Sequence, residues 1–217
     1  MPYDPSKDFS VVTFAATAQT ALTVHPSVPA RTVGELIALI KASPGKYSYA
    51  SPGPGTPPHL VGELFRLAFQ LDLVHAPFNG GGPAIASTLA GHTPISFGAL
   101  SPVVQHVKEG RLRAVAITSS SRASALPDVP TMANEGYPDI AADIWQAVLV
   151  PVGTSGEIVN RLHRAIVTVM DQPTVRDRML GLGFLPLGTP PAEAEAQMRR
   201  EITKWAKVVR EAGIKPG

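Results

Sequence analysis

With 217 residues, 44% of them hydrophobic and 17% charged, the chain has globular composition and a length that suits one large domain or two small lobes. A formal net charge of +2 is too small to neutralise a long row of phosphates, which argues against nucleic-acid binding. Cysteine is absent, so disulfides, thiolate chemistry and cysteine-based zinc sites are excluded. No apolar run approaches the roughly 20 residues of a membrane helix. Met1-Pro2-Tyr3-Asp4-Pro5 has neither the basic nor the apolar region of an export signal, so the chain is expected to be cytoplasmic or to have its true beginning elsewhere. The 22 Pro and 19 Gly are spread along the chain and mark frequent turns rather than a disordered tract.

Residues 9–15 read as a strand, and residues 20–25 form a short apolar run. Thr32 is a candidate N-cap with Glu35 at capping-box spacing, and the helix they open stops at Pro44-Gly45. A strand over 47–51, a helix over 57–70, a strand over 71–78 and a helix over 83–90 follow. Next come a strand over 95–97, a helix over 102–109 and a strand over 112–119. This alternation predicts an α/β fold with mostly parallel sheets covered by helices. Residues 119–138 are rich in Ser, Pro and Ala and read as an irregular connection with a short helix from Thr131. A strand over 141–150 ends at Pro151, and helices over 155–170, 174–182 and 191–212 close the chain. The last helix places Met198, Ile202, Trp205 and Val209 on one face. Arg199, Arg200, Lys204, Lys207 and Arg210 fall on other faces and read as a solvated basic surface.

Three strand-to-helix turns share one design: Ser51-Pro52-Gly53-Pro54-Gly55-Thr56-Pro57, Asn79-Gly80-Gly81-Gly82-Pro83 and Phe97-Gly98-Ala99-Leu100-Ser101-Pro102. Each has small residues after a strand and Pro at the first helical position, where its missing N–H is not needed. In a parallel sheet the strand ends share one edge and ligands bind outside it, so the turns are expected to converge. Glycines let backbone N–H groups approach a ligand closely, and helix N-termini favour anions. No turn holds Lys or Arg, so the site offers neutral amides and the side chains of Ser51, Thr56, Asn79 and Ser101. That suits a small carboxylate better than a phosphate. Pro57 and Pro58 carry no N–H, so the first turn donates only from Gly53, Gly55, Thr56 or from His59 onward. The same pattern is also that of well-capped turns in any α/β protein.

Catalytic machinery is not visible. No two His residues have the i, i+4 spacing of a helical metal site, the Gly53–Thr56 turn lacks a P-loop ending, and no Gly-x-Ser-x-Gly elbow occurs. His75, on a strand between Val74 and Ala76, reads as a packed core residue, and Asp139 and Asp143 read as loop solvation. The chain is therefore expected to be no enzyme and to use neither metal nor cofactor.

Several stretches carry a resemblance: Leu-Thr-Val-His-Pro-Ser-Val-Pro-Ala-Arg-Thr-Val at 22–33, Tyr-Ala-Ser-Pro-Gly-Pro-Gly-Thr at 49–56, and Val-His-Ala-Pro-Phe-Asn-Gly at 74–80. With 110–116, 125–131 and 151–154, they resemble the substrate-binding proteins of tripartite tricarboxylate transporters, the Bug proteins. The resemblance implies a periplasmic-binding-protein-like fold (type II), whose two hinged lobes close around a dicarboxylate or related acid. It also implies a periplasmic location and the transporter's membrane subunits as partners. The pocket it carries over uses Ser51, Gly53, Gly55 and Thr56, then Phe78, Asn79, Gly80 and Gly81, then Phe97, Gly98, Ala99 and Ser101. All lie in a lobe of residues 20–118, and residues 1–19 with 119–217 are expected to form a partial second lobe with hinge crossings and C-terminal helices.

Two departures accompany the resemblance. Relatives begin with an export signal and a segment whose Pro-Gly-Gly turn grips the ligand; nothing here matches it, which reads as an N-terminal truncation. Gly98 stands where many relatives carry a polar residue, which points to a ligand other than the usual dicarboxylates. Open strand edges in an incomplete lobe are expected to find another chain, hence self-association. Two charge-assisted hydrogen bonds from one lobe contribute about 3–6 kcal/mol. Association costs about 4 kcal/mol or more, and micromolar binding needs about 8 kcal/mol net. One lobe alone is expected to bind weakly. A cytosolic ligand-sensing domain, or a remnant with weak or no ligand binding, are the alternative readings.

Overall fold

The computed structural model describes residue 4 and residues 7–215. In chain order the strands are β1 (Phe9–Ala18), β2 (Thr20–Val24), β3 (Ser48–Ser51), β4 (Val74–Pro77), β5 (Ile95–Ala99), β6 (Arg113–Ile117), β7 (Ile144–Pro151) and β8 (Phe184–Pro186). The helices are α1 (Val33–Lys41), α2 (Pro57–Ala68), α3 (Gly81–Leu89), α4 (Val104–Lys108), α5 (Gly156–Met170), α6 (Pro173–Gly181) and α7 (Pro191–Glu211). They fall into two units, Gln19–Ile144 with Val208–Gly217, and Met1–Ala18 with Trp145–Lys207.

The larger unit is built on a five-stranded sheet of order β4-β3-β5-β2-β6. The sheet is mostly parallel, as expected, with β2 alone reversed. β3 runs parallel to β4 and β5, whereas β2 is antiparallel to both β5 and β6. The reason is the connection through α1, which starts and finishes at one end of the sheet, so β3 begins where β2 stops. The crossovers through α2 and α3 instead carry the chain from one end to the other, as parallel neighbours require. Consequently β3, β4 and β5 all finish on one edge.

Local chemistry sets the helix starts. At α1 the Thr32 hydroxyl accepts from the Glu35 N–H at 3.1 Å, and the Glu35 carboxylate accepts from the backbone N–H of Arg31 at 2.6 Å and Thr32 at 3.3 Å. This is the reciprocal cap expected from the spacing. Replacing Thr32 by Ala should lower stability by about 1 kcal/mol, read as a lower urea midpoint with an unchanged slope. The segment expected as one helix over 102–109 is a short 3-10 turn, Ser101–Val103, followed by α4.

Residues 119–144 group with the larger unit, as does Gln19, because their backbone is tied to β2 and β6. Ile117 N–H donates to Pro130 O at 2.8 Å, Met132 N–H to Ile117 O at 2.9 Å, and the Thr20 hydroxyl to Ala142 O at 2.7 Å. At Thr131 the expected helix is only a turn: the Thr131 N–H donates to Asn134 Oδ1 and the Asn134 N–H to Thr131 Oγ1. These side-chain bonds take the place of a helical ladder.

The smaller unit carries a three-stranded sheet of order β7-β1-β8. β8, which the pattern did not foresee, pairs antiparallel with the end of β1, Ala16 opposite Pro186 and Ala18 opposite Phe184. Val11, Phe14 and Ala194 form its core, with Trp145 edge-on to Phe14 at 4.9 Å and Met198 packed alongside. On α7 the expected apolar face is shifted. Ala194 and Val208 are buried, whereas Ile202 is exposed. Among the described residues, all the exposed large hydrophobic side chains except Val74 lie between Leu149 and Ile202. No helix among these residues is long and apolar enough to cross a membrane.

Candidate functional site

A cavity of about 280 Å³ opens at the edge where β3, β4 and β5 end. Its floor comes from β2 and β5, through Ala21, Thr23, Ser96, Phe97, Gly98 and Ala99. Pro52, Thr56, Pro57 and Pro58 wall it from the first turn and the start of α2, and Gly81, Ala84 and Ile85 from α3. Pro102, Val103 and Ile144 complete the lining, so no charged side chain takes part in it. On the floor, Thr23 stands directly opposite Ser96 and Ala21 opposite Gly98 in the antiparallel register. The two hydroxyls of the first pair lie 2.7 Å apart, both buried. Two hydroxyls hold two hydrogens and their mutual bond uses one, so this pair has a hydrogen to give.

The first turn is braced by a histidine pair beneath it. The Ser51 hydroxyl, fully buried, lies 2.7 Å from His75 Nε2 and accepts from the Gly53 N–H at 3.2 Å. The Gly55 N–H donates to His59 Nδ1 at 3.0 Å, which requires an unprotonated Nδ1. The Thr56 hydroxyl donates to Gly53 O at 2.7 Å. The rings of His59 and His75 stack with centroids 3.9 Å apart, and Tyr49 also stacks with His75 at 4.9 Å. Burial holds the His59 pKa below the ordinary imidazole value, and burial together with the neighbouring His59 charge pushes His75 down to about 4. Deeper still, the Tyr49 hydroxyl donates to Glu63 Oε1 at 2.7 Å, and Arg66 closes a 2.7 Å ion pair on the same carboxylate. Burial, then the Glu63 bond, raises the Tyr49 pKa and keeps the phenol protonated.

Of the residues singled out from the sequence, Thr56, Gly81, Phe97, Gly98 and Ala99 line the cavity. Ser51, Gly53, Gly55, Phe78, Asn79, Gly80 and Ser101 are not among its lining residues. Ser51 and Gly55 are engaged inward with the two imidazoles. Gly53 has a φ of +142°, and a Cβ there would meet Phe78 O at 3.2 Å. Gly80 has a φ of +107° and donates its N–H to Pro52 O at 2.9 Å, and the Phe78 N–H donates to Ser51 O at 3.1 Å. These residues lock the second turn onto the first. Asn79 and Ser101 are exposed.

The free donors around the cavity are therefore fewer than the sequence implied. They include the first-turn amides of α3 at the rim, from Gly81 and Gly82, which have no intrahelical acceptor, and the Thr23–Ser96 pair on the floor. Thr23 and Ser96 escaped the sequence reading; their signal was buried polar residues within two strands that read mainly as apolar core. No three His, Asp or Glu side chains converge as metal ligands among the described residues.

The chain matches the tripartite tricarboxylate transporter family receptor, TctC, over residues 1–214. It belongs to that family. Among TctC-type relatives, protein BugT of Bordetella pertussis is 34% identical over 99% of this chain. The chain spans only 66% of BugT, just under two thirds of that relative's own length. A solved structure described as a periplasmic transporter superposes with a TM-score of 0.83 at 36% identity, covering 99% of this chain and 71% of the other. An R. palustris protein solved with adipate gives a TM-score of 0.83 at 28% identity, covering all of this chain and 73% of the other. The chain thus has the α/β fold of the periplasmic binding proteins, with the one reversed strand described above.

Proposed function

We propose that this chain captures a small carboxylate at the β3–β4–β5 edge and releases it unchanged, as a periplasmic solute-binding component that serves the membrane subunits of a tripartite tricarboxylate-type transporter. The cavity's chemistry carries this reading. It is concave and mostly apolar, and its donors are neutral amides and hydroxyls next to a helix N-terminus, an environment that holds an anion without reacting with it. The adipate in a structural relative supports the same ligand class.

Ser51 and His75 have the 2.7 Å spacing of a nucleophile and its base. Ser51 is nevertheless fully buried and lies outside the cavity lining, so no substrate carbonyl reaches it. Binding without chemistry is the reading that fits. The apolar side chains exposed between Leu149 and Ile202 support self-association, with a second copy covering them; light scattering that finds only monomer at high concentration removes that part.

Calorimetry against a panel of mono- and dicarboxylates tests the main reading, and heats indistinguishable from dilution for every acid would defeat it. In the same assay Gly80→Val should weaken acid binding at least about tenfold. A β-branched residue resists a φ of +107°, so the backbone that seats Gly81 and Gly82 at the rim is displaced.

A further inference from the structure

Resting on the carboxylate reading above, we propose that Gly98, paired across the strands with Ala21, makes this site selective for a carboxylate with a bulky apolar body, aromatic or branched aliphatic, over a compact hydroxydicarboxylate. Two observations lead there. At the centre of the floor, where a pair of side chains would normally fill the space between β2 and β5, the residues in register are Ala21 and Gly98. A Cβ built on Gly98 meets nothing within 4 Å. The space beside it is the cavity itself, which both residues line. Gly98 is also not among the glycines with a positive φ. The backbone does not require a glycine here, so what its absence of side chain provides is volume.

The walls around that volume decide what fills it. Ile85, Phe97, Val103 and Pro57 present carbon, and the Thr56 hydroxyl is already committed to Gly53 O at 2.7 Å. Polar capacity is confined to the Thr23–Ser96 pair and the α3 amides, enough for one carboxylate. A hydroxydicarboxylate brings a second charge and a hydroxyl into the same space, where no cation and no further free side-chain donor line the wall. Those groups would lose water without gaining partners. An apolar body loses nothing by leaving water and gains contact with the wall. At about 280 Å³ the space accommodates a ring or branched chain with its carboxylate, near the low end of small-molecule pockets.

The test is calorimetry or ligand-observed NMR on the 217-residue chain with benzoate, 4-methylpentanoate, malate and neutral benzamide. Gly98→Leu and the smaller Gly98→Ser serve as variants, their folding checked by circular dichroism. Benzoate and 4-methylpentanoate should bind at least about tenfold tighter than malate. Gly98→Leu should remove most of that advantage, and Gly98→Ser part of it. Malate binding as tightly as the apolar acids would overturn this inference and leave the carboxylate reading standing. Unchanged benzoate affinity in both folded variants would overturn the role of Gly98. Benzamide matching benzoate, or no binding by any acid, would overturn the carboxylate reading and this inference with it.

Discussion

Gly62→Ala should destabilise the larger unit by about 2 kcal/mol or more, although the same change in an ordinary helix stabilises it by about 1 kcal/mol. Gly62 lies inside α2, where alanine is the better helix former, so propensity alone predicts a gain. Packing reverses the sign. A Cβ at this position would meet the Tyr49 ring, with Cζ at 2.8 Å and Cδ2 at 3.0 Å. That ring has nowhere to go: it is fully buried, its hydroxyl donates to Glu63, its face lies on His75, and it meets Phe97 edge-on at 5.5 Å. Moving Tyr49 therefore strains α2, the histidine pair and the cavity floor together. For a chain of this size the melting temperature should fall by about 6 °C. Adding Tyr49→Leu to Gly62→Ala should cost less than the two single changes summed, because the smaller side chain removes the overlap. A raised melting temperature for Gly62→Ala would show that helix propensity decides at this position.

What the sequence made legible was local. Thr32 and Glu35 are three residues apart, and their cap formed as the spacing required. Proline at the first positions of α2, with Thr56 before it, marked that helix start correctly, even though the Thr56 hydroxyl turns to Gly53 O instead of capping. The convergence of the three turns was also readable, since helical crossovers join β3, β4 and β5 and so force their ends to one edge.

What stayed hidden depends on partners far along the chain. Ser51 in a Ser-Pro-Gly turn reads as a donor facing a ligand, and only the fold reveals that His75, 24 residues on, takes its hydroxyl. Thr23 and Ser96 are 73 residues apart, and nothing in either strand announces the other. The antiparallel course of β2 was missed because alternation of strands and helices does not report whether a connection returns to the end it left. β8 has three residues and acquires its identity from β1, so it carries no period of its own.

The stacked histidines make the larger unit acid-sensitive in a window where carboxylates do not yet titrate. In the unfolded chain an imidazole titrates near about 6.5, whereas His75 in the fold is held down to about 4, by burial first and by the charge of His59 second. The fold thus binds fewer protons than the unfolded chain between these values. The stability this contributes is fully present above about pH 6.5 and is lost as pH falls toward about 4. Between pH 7 and pH 5 the loss attributable to His75 should be about 1.5 kcal/mol, allowing for the screening of a partly exposed ring. His59 adds in the same direction, since its pKa is also lowered by burial. The charges around the pair do not cancel this. Glu63 favours the protonated rings but is already held by Arg66 and by the Tyr49 hydroxyl, and Tyr49 itself is neutral throughout the window. Denaturant midpoints taken between pH 7.5 and pH 5 measure the slope. His75→Phe keeps a ring in the stack without a site for the proton, so it should flatten much of the slope while losing about 1 kcal/mol for the Ser51 bond. Because an Nδ1 proton on His59 would face the Gly55 N–H, the first turn should loosen in the same interval, seen as faster amide exchange at Gly55. A midpoint that holds steady or climbs as the pH drops to 5 would mean that the two rings take up their protons in the fold as readily as in the unfolded chain.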